Sequence, residues 1–474
     1  MVNNFLKNNL AILFGNVFFK IGGYIYKFLM VYLLNNYAYG ILTIISPFQN
    51  ILQTLAAGGL PPTISKYVSE YNATNQKENS YKLILVSIKI AILLGITFGL
   101  LMIFFIAPLL VKIYNNNSLL LPLQIIGLIV PFSAIVGVFR GIFQGTYEMA
   151  HILTSRAIEQ ITMILSAIVL IILGFSVVGA IFGSVIGFFS SLISVIIILH
   201  KYFLDIFQGM LKLKMDFKEE IKIAYKIISF SIPVILTAIS EIGIYSMTTT
   251  IMPLFITISE IGYFGIAEPI ARLPLMISNS LATTILPVTS EMFASKNTNI
   301  LKKYMFNALR YNLIIMVPIC LFIMIFSKEV LLVMFFTKPF YSKGANVLTI
   351  LTLGMFFYSI FAITSSMIQG AGKPKSSMYL LIGGFIQILL LSFIFIPYFG
   401  VNGGAISTLT TATMTLISLI YLNKHISLKF NMIHYLKILF AGIIIAIFLL
   451  ILPKNLIGFY IGLLFLFPIY LITL

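Results

Sequence analysis

Apolar runs of about 20 residues follow one another along almost the whole chain, separated by short polar stretches. As a helix rising ~1.5 Å per residue, a run of that length crosses a hydrocarbon core of roughly 30 Å. None of the runs alternates apolar and polar positions with a period of two, so the pattern predicts helices and not the strands of a barrel. Fourteen spans are predicted, at about 11–34, 40–60, 83–110, 119–143, 155–175, 178–200, 227–256, 262–287, 306–327, 346–369, 378–397, 402–422, 436–452 and 456–474.

The runs also echo one another. Gln144-Gly145 recurs as Gln369-Gly370, Gly179-Ala180-Ile181 as Gly404-Ala405-Ile406, Pro62 as Pro287 and Gly40 as Gly265, each 225 residues on. One such match means little in an apolar chain. Four at one offset and in one order predict a duplicated unit, residues 1–200 (spans one to six) repeated as 227–425 (spans seven to twelve). The connection 201–226 is the longest and most charged, and 426–474 adds two spans. The expected fold class is all-α: a polytopic membrane protein of two six-helix lobes in a parallel pseudo-repeat, plus two C-terminal helices. Repeats of this size are a transporter signature, with the substrate site between the halves. Gly22-Gly23, Gly58-Gly59 and Gly383-Gly384 predict close helix approaches or bends.

Composition agrees with the pattern. The chain is 60% hydrophobic and 9% charged, with a mean hydropathy of +1.08, too little polarity to cover a soluble surface. Its net charge is +17, yet the cations do not form a nucleic-acid patch. Of the 30 lysines and arginines, 21 fall in alternate loops assigned to the cytoplasm and 5 in the opposite loops. That bias predicts both termini inside and an even number of spans. The first apolar run is too long for a cleaved signal and reads as the first span. The single Cys320 allows no intrachain disulfide and no cysteine metal site, and with four histidines no nucleophile–base constellation is visible. No cofactor or metal is expected. Short outer loops weigh against a membrane glycosyltransferase, so the expectation is a transporter and not an enzyme.

Three stretches carry a family resemblance. Gly59-Leu60-Pro61-Pro62-Thr63-Ile64-Ser65-Lys66-Tyr67, Arg140-Gly141-Ile142-Phe143-Gln144-Gly145 with Ile158-Glu159-Gln160, and Gln369-Gly370-Ala371-Gly372-Lys373-Pro374 resemble segments at the same places in polysaccharide-export and spore-cortex flippase-like proteins. With the fourteen spans, the resemblance covers essentially the whole chain. It points to the multidrug/oligosaccharidyl-lipid/polysaccharide (MOP) exporter superfamily, on the branch that includes lipid II and O-antigen-unit flippases. It implies two lobes around a central cavity and alternating access.

Charges inside predicted spans are the candidate site, since an isolated charge at the bilayer centre costs about 2.5–3.5 kcal/mol on insertion scales. Lys20 sits near the middle of span one, and Lys27, seven residues on, faces the same side. They form either a cationic stripe into the cavity or, respectively, a structural pair and a side chain snorkelling outward. Lipid II flippases carry cavity arginines in span one that contact the anionic headgroup, and the resemblance makes both lysines substrate-binding candidates, without arginine's planar fork. Arg272 is central in span eight with Glu268 one turn before it, a spacing that permits an ion pair. The pair is either self-neutralising or a cavity arginine whose carboxylate yields to substrate phosphate. The resemblance favours the second. Pro269 and Pro274 flank the pair and predict a bend. Glu241, mid-span in seven, would pair with a lysine of span one, bind a coupling cation or stay neutral. Gln49 and Gln53 share a face of span two, to bind sugars or to join helices. Lys89 is expected to snorkel outward, and Glu159 to pair with Arg156 at the interface.

The expected substrate is an anionic glycan on an isoprenoid pyrophosphate, translocated across the plasma membrane by a monomer. Membrane lipid, a polysaccharide polymerase and glycosyltransferases are the expected partners, without nucleic acid. Coupling to a proton, to sodium or to the membrane potential stays open. A cation-coupled multidrug antiporter of the same superfamily is the alternative.

Overall fold

The computed structural model describes residues 19–473 apart from 20, 205, 207, 210–214, 295–297 and 427–431. Among these residues all regular structure is helical. The chain divides into two compact units, Met1–Ile242 and Gly243–Leu474.

The first unit contains α1 (Ile21–Leu33), α2 (Asn36–Ala57), α3 (Leu60–Ala73), α4 (Lys77–Leu101), α5 (Ala107–Tyr114), α6 (Leu120–Gly145), α7 (Met149–Leu170), α8 (Ser176–Tyr202) and the first part of α9 (Phe217–Ile251). The hub is α6, packed against α2, α3, α4 and α8. Asn35 starts α2 by accepting the Ala38 N–H on its side-chain oxygen at 2.8 Å. The helix stops at Gly58 and Gly59, with φ of 56° and 64°, a region that side chains with a Cβ avoid. A Cβ on Gly59 would also come 2.9 Å from the Ser231 carbonyl oxygen, so glycine is needed twice over where α3 leaves against α9.

The second unit holds the rest of α9, then α10 (Ile258–Arg272), α11 (Leu275–Ala294), α12 (Thr298–Ile325), α13 (Ser327–Met334), α14 (Ala345–Gly370), α15 (Pro374–Ser407), α16 (Thr410–Ile426), α17 (Met432–Ile451) and α18 (Leu456–Thr473). Here the hub is α14, packed against α10, α11, α12, α15 and α16.

The two hubs correspond closely. Both are 26 residues long and end on the Gln-Gly pair that the sequence repeats. After α6 the Thr146, Tyr147 and Glu148 N–H groups donate to the carbonyls of Ile142, Gln144 and Phe143. After α14 the Ala371, Gly372 and Lys373 N–H groups donate to those of Met367, Gln369 and Ile368, the same bonds 225 residues on. The left-handed residues that close the two turns, Tyr147 (φ 63°) and Gly372 (φ 77°), also match. Both terminal glycines let a helix approach. A Cβ on Gly145 would lie 2.9 Å from Ser65 O of α3, and one on Gly370 2.8 Å from Leu286 O of α11.

Eight helical stretches among the described residues are long and apolar enough to cross a membrane, and Ile21–Leu33 and Tyr435–Ile451 are apolar but shorter. The protein is therefore a multi-pass membrane protein. Two of the eight, Met149–Tyr202 and Pro374–Lys424, are broken at Gly174 (φ 96°) with Ser176 (φ 48°) and at Gly400 (φ 57°), where spans five and six and spans eleven and twelve were predicted to part. The predicted spans 40–60 and 262–287 are not single helices. The first breaks at Gly58-Gly59 and the other at Leu273-Pro274, directly after Arg272. Proline has no N–H to continue a helix, which accounts for the second break.

The connection 201–226 is partly helix, because α9 already begins at Phe217. Its first turn is strapped to α4: Lys82 lies 2.8 Å from Glu219 and 2.9 Å from Glu78, and Lys89 lies 2.5 Å from Glu220. Lys89 thus meets a carboxylate besides having an outward path.

Candidate functional site

Arg272 is the last residue of α10, a helix opened by Thr257, whose backbone N–H and hydroxyl both donate to Glu260 at 3.0 and 2.7 Å. Everything from Phe264 to Ala271 is buried, so the arginine emerges from a closed stretch of helix in which Glu268 is the charged residue. It ion-pairs with Glu268 one turn back, donates from Nη2 to the Tyr245 carbonyl at 2.5 Å, and lays its guanidinium 4.4 Å over the Tyr245 ring. The Tyr245 ring in turn meets Tyr358 of the hub edge-on at 4.9 Å. Glu268 is 7% exposed. The Nε of Arg272 is buried and has no hydrogen-bond partner among the described residues. The predicted pair therefore exists, with a tyrosine as a third member and one donor left over.

The other candidates are placed as follows. Lys20 lies outside the described residues. Lys27 is half-buried on α1, next to Tyr26, whose hydroxyl donates to Ala180 O of α8 at 3.1 Å. Gln49 and Gln53 are half-buried on α2, and the Gln53 side-chain nitrogen is buried without a hydrogen-bond partner among the described residues. Glu241 is exposed on α9.

Glu159 has a partner beyond the expected Arg156. Its carboxylate lies 2.6 Å from Arg140 Nη2, which also reaches Ser191 at 3.1 Å, while Arg140 Nε donates to Ser155 at 3.1 Å. This joins α6, α7 and α8 through one guanidinium. Arg156 also interacts with Glu159 through its charge, while Arg140, across the turn at 146–148, makes the close ion pair. Spacing along one helix gives no signal for such a pair.

The second unit also has an apolar groove of about 510 Å³ between α12, α14 and α17. Val317, Cys320, Phe356, Ile360, Leu439 and Gly442 are among its lining residues, and the Cys320 thiol is buried there.

The fold is that of the MOP exporter superfamily, a class of transporters rather than enzymes. The structure superposes on the inward closed conformation of the lipid II flippase MurJ with a TM-score of 0.74, at 18% identity over 96% of this chain and 98% of that one. It matches the inward-facing conformation of a multidrug resistance MATE family transporter with a TM-score of 0.72, at 16% identity over 86% and 94%. The sequence pattern of the polysaccharide biosynthesis protein family fits residues 5–293 and that of the MatE family residues 233–396. The chain belongs to the polysaccharide biosynthesis protein family. It is similar to an uncharacterized membrane protein of Methanocaldococcus jannaschii, 26% identical over 89% of this chain and 99% of the relative. It is also similar to the lipid II flippase MurJ of Bacillus subtilis, 24% identical over 77% and 72%.

Proposed function

We propose that the protein is a flippase for an oligosaccharide linked to an isoprenoid pyrophosphate, working by alternating access in the plasma membrane with fourteen crossings and both termini in the cytoplasm. The observation that carries this reading is Arg272, a cation emerging from buried helix in a transporter fold, held by Glu268 and Tyr245 yet keeping a buried Nε–H without an acceptor among the described residues. A phosphate oxygen supplies that acceptor and makes charge-assisted hydrogen bonds with the guanidinium. In this reading Lys20 and Lys27 add positive charge for the second phosphate, and Gln49 and Gln53 meet sugar hydroxyls. Glu241 takes a coupling cation or a lysine. The apolar groove beside Cys320 accommodates part of the isoprenoid tail. No bond is made or broken; the protein lowers the barrier for the polar headgroup. A polymerase or glycosyltransferases would act beside it.

The test is transbilayer movement of a lipid-linked oligosaccharide in proteoliposomes. Arg272→Ala and Lys20→Ala should each abolish it while leaving membrane insertion intact, and Lys20→Arg should keep it because the charge remains. Wild-type rates in both alanine variants would sink the assignment.

The MatE match over residues 233–396 favours a second reading, a cation-coupled antiporter of organic cations. That reading expects uptake of a cationic dye into proteoliposomes driven by a proton or sodium gradient, with no effect on the lipid-linked glycan.

A further inference from the structure

A separate cavity of about 730 Å³ opens in the first unit between α3, α4 and the start of α9. Its size falls within the roughly 300–1,000 Å³ of small-molecule sites. Tyr67, Tyr71 and Phe230 line one part of it. Tyr67 stacks with Tyr71 at 6.5 Å and meets Phe230 edge-on at 5.9 Å. Lys226 bridges the two tyrosines, its Nζ 4.1 Å from the Tyr67 ring centre and 2.9 Å from the Tyr71 hydroxyl. Lys222 lines the same cavity and is exposed.

The charges around this cavity are unevenly spent. The two carboxylates beside these lysines on α9 are engaged elsewhere, Glu219 by Lys82 and Glu220 by Lys89. Lys222 and Lys226 stand in no ion pair among the described residues. The result is a wall of aromatic rings already met by the ammonium groups of Lys66 and Lys226, beside two lysines outside any ion pair among the described residues. Glu70 acts on Lys226 only through its charge, and the Glu219 carboxylate, held by Lys82, lines the cavity as an acceptor for hydroxyls. Aromatic faces take the C–H side of a pyranose, and ammonium groups take phosphate oxygens.

We infer that this cavity binds a sugar phosphate, and that it is where the headgroup of the substrate first docks on the lysine-rich end of the first unit. The docking role rests on the flippase reading, whereas the binding of sugar phosphate is measurable without transport.

The chain has no tryptophan, so Tyr225→Trp, at an exposed position lining the cavity, gives a single fluorescent reporter. In the full-length protein in nanodiscs of neutral lipid, glucose 1-phosphate should change its emission saturably, with a dissociation constant of about 1 mM or tighter. In Lys222→Gln with Lys226→Gln the affinity should fall at least about tenfold, since two charge-assisted contacts are lost. Glucose and inorganic phosphate, each offering half of the recognition, should both bind more weakly than the sugar phosphate.

Four results would overturn the inference: no saturable change, glucose binding as well as its phosphate, an unchanged affinity in the double variant, or a response only when the nanodiscs contain phosphatidylglycerol. A silent reporter in a protein that still flips lipid-linked glycan removes this pocket and leaves the flippase reading. A reporter that responds in a protein that flips nothing removes the flippase reading and leaves the sugar-phosphate site.

Discussion

Arg272→Ala strands the Glu268 carboxylate, 7% exposed, without the cation that pairs with it. Breaking a buried pair from one side destabilises by about 3–5 kcal/mol, because the remaining charge stays desolvated. For a cooperative unit of this size, roughly 2–4 °C per kcal/mol, the melting temperature should fall by about 6–20 °C. The protein carries its own reporter: Cys320 is the single cysteine, 3% exposed, and lies in the same unit as the pair. A thiol-reactive dye therefore follows unfolding in detergent without further engineering. Glu268→Ala with Arg272→Ala removes the stranded charge and should recover most of the lost stability. Transport should not return with it, because the guanidinium proposed to bind phosphate is still missing. Two outcomes refute this reasoning. If Arg272→Ala melts like the wild type, the pair is not a desolvated one. If the double variant regains transport along with stability, the arginine is structural.

Three further expectations follow from the packing. Gly145→Ala and Gly370→Ala each force a Cβ to within 3 Å of a backbone oxygen on the neighbouring helix, so each should destabilise by about 1–3 kcal/mol, read as earlier thiol labelling for Gly370 and as increased proteolysis for Gly145. Arg140→Met leaves the Glu159 carboxylate and the Ser155 and Ser191 hydroxyls without their shared partner. The expected loss is about 1–3 kcal/mol, discounted from a fully buried pair for the partial exposure of both groups, and Glu159→Gln in the same chain should restore part of it. Reporter fusions after His200 and after Leu474 should both report cytoplasm; an external signal at either position contradicts the proposed topology.

The helical class was legible because apolar length alone distinguishes spanning helices from other elements. The ends of the two hub helices were legible too, since Gln144-Gly145 and Gln369-Gly370 mark a turn whose backbone bonds recur residue for residue. Gly58-Gly59 and Pro274 marked bends because their backbone restrictions act locally, but that these were full breaks within the predicted spans 40–60 and 262–287 was not legible. Pairings across helices were not legible. Arg140 with Glu159, and Lys89 with Glu220, join residues on different helices, where no periodicity connects them. Tyr245 escaped notice for the same reason. Its ring and carbonyl serve Arg272 from another helix, and a tyrosine in an apolar run carries no charge to mark it. Arg272 and Glu268 were visible because one turn of a single helix separates them.

The most direct test of the central claim uses the wild-type protein in proteoliposomes loaded with a fluorescent oligosaccharide on an isoprenoid pyrophosphate, probed from outside by a membrane-impermeant quencher. Protein-free vesicles should protect about half of the label, the share in the inner leaflet. With the protein present that protected fraction should fall toward zero within minutes, and Arg272→Ala should restore the protection. Protection equal to that of empty vesicles, in a preparation that exchanges a cationic dye against a proton or sodium gradient, would contradict the account and favour the antiporter in its place.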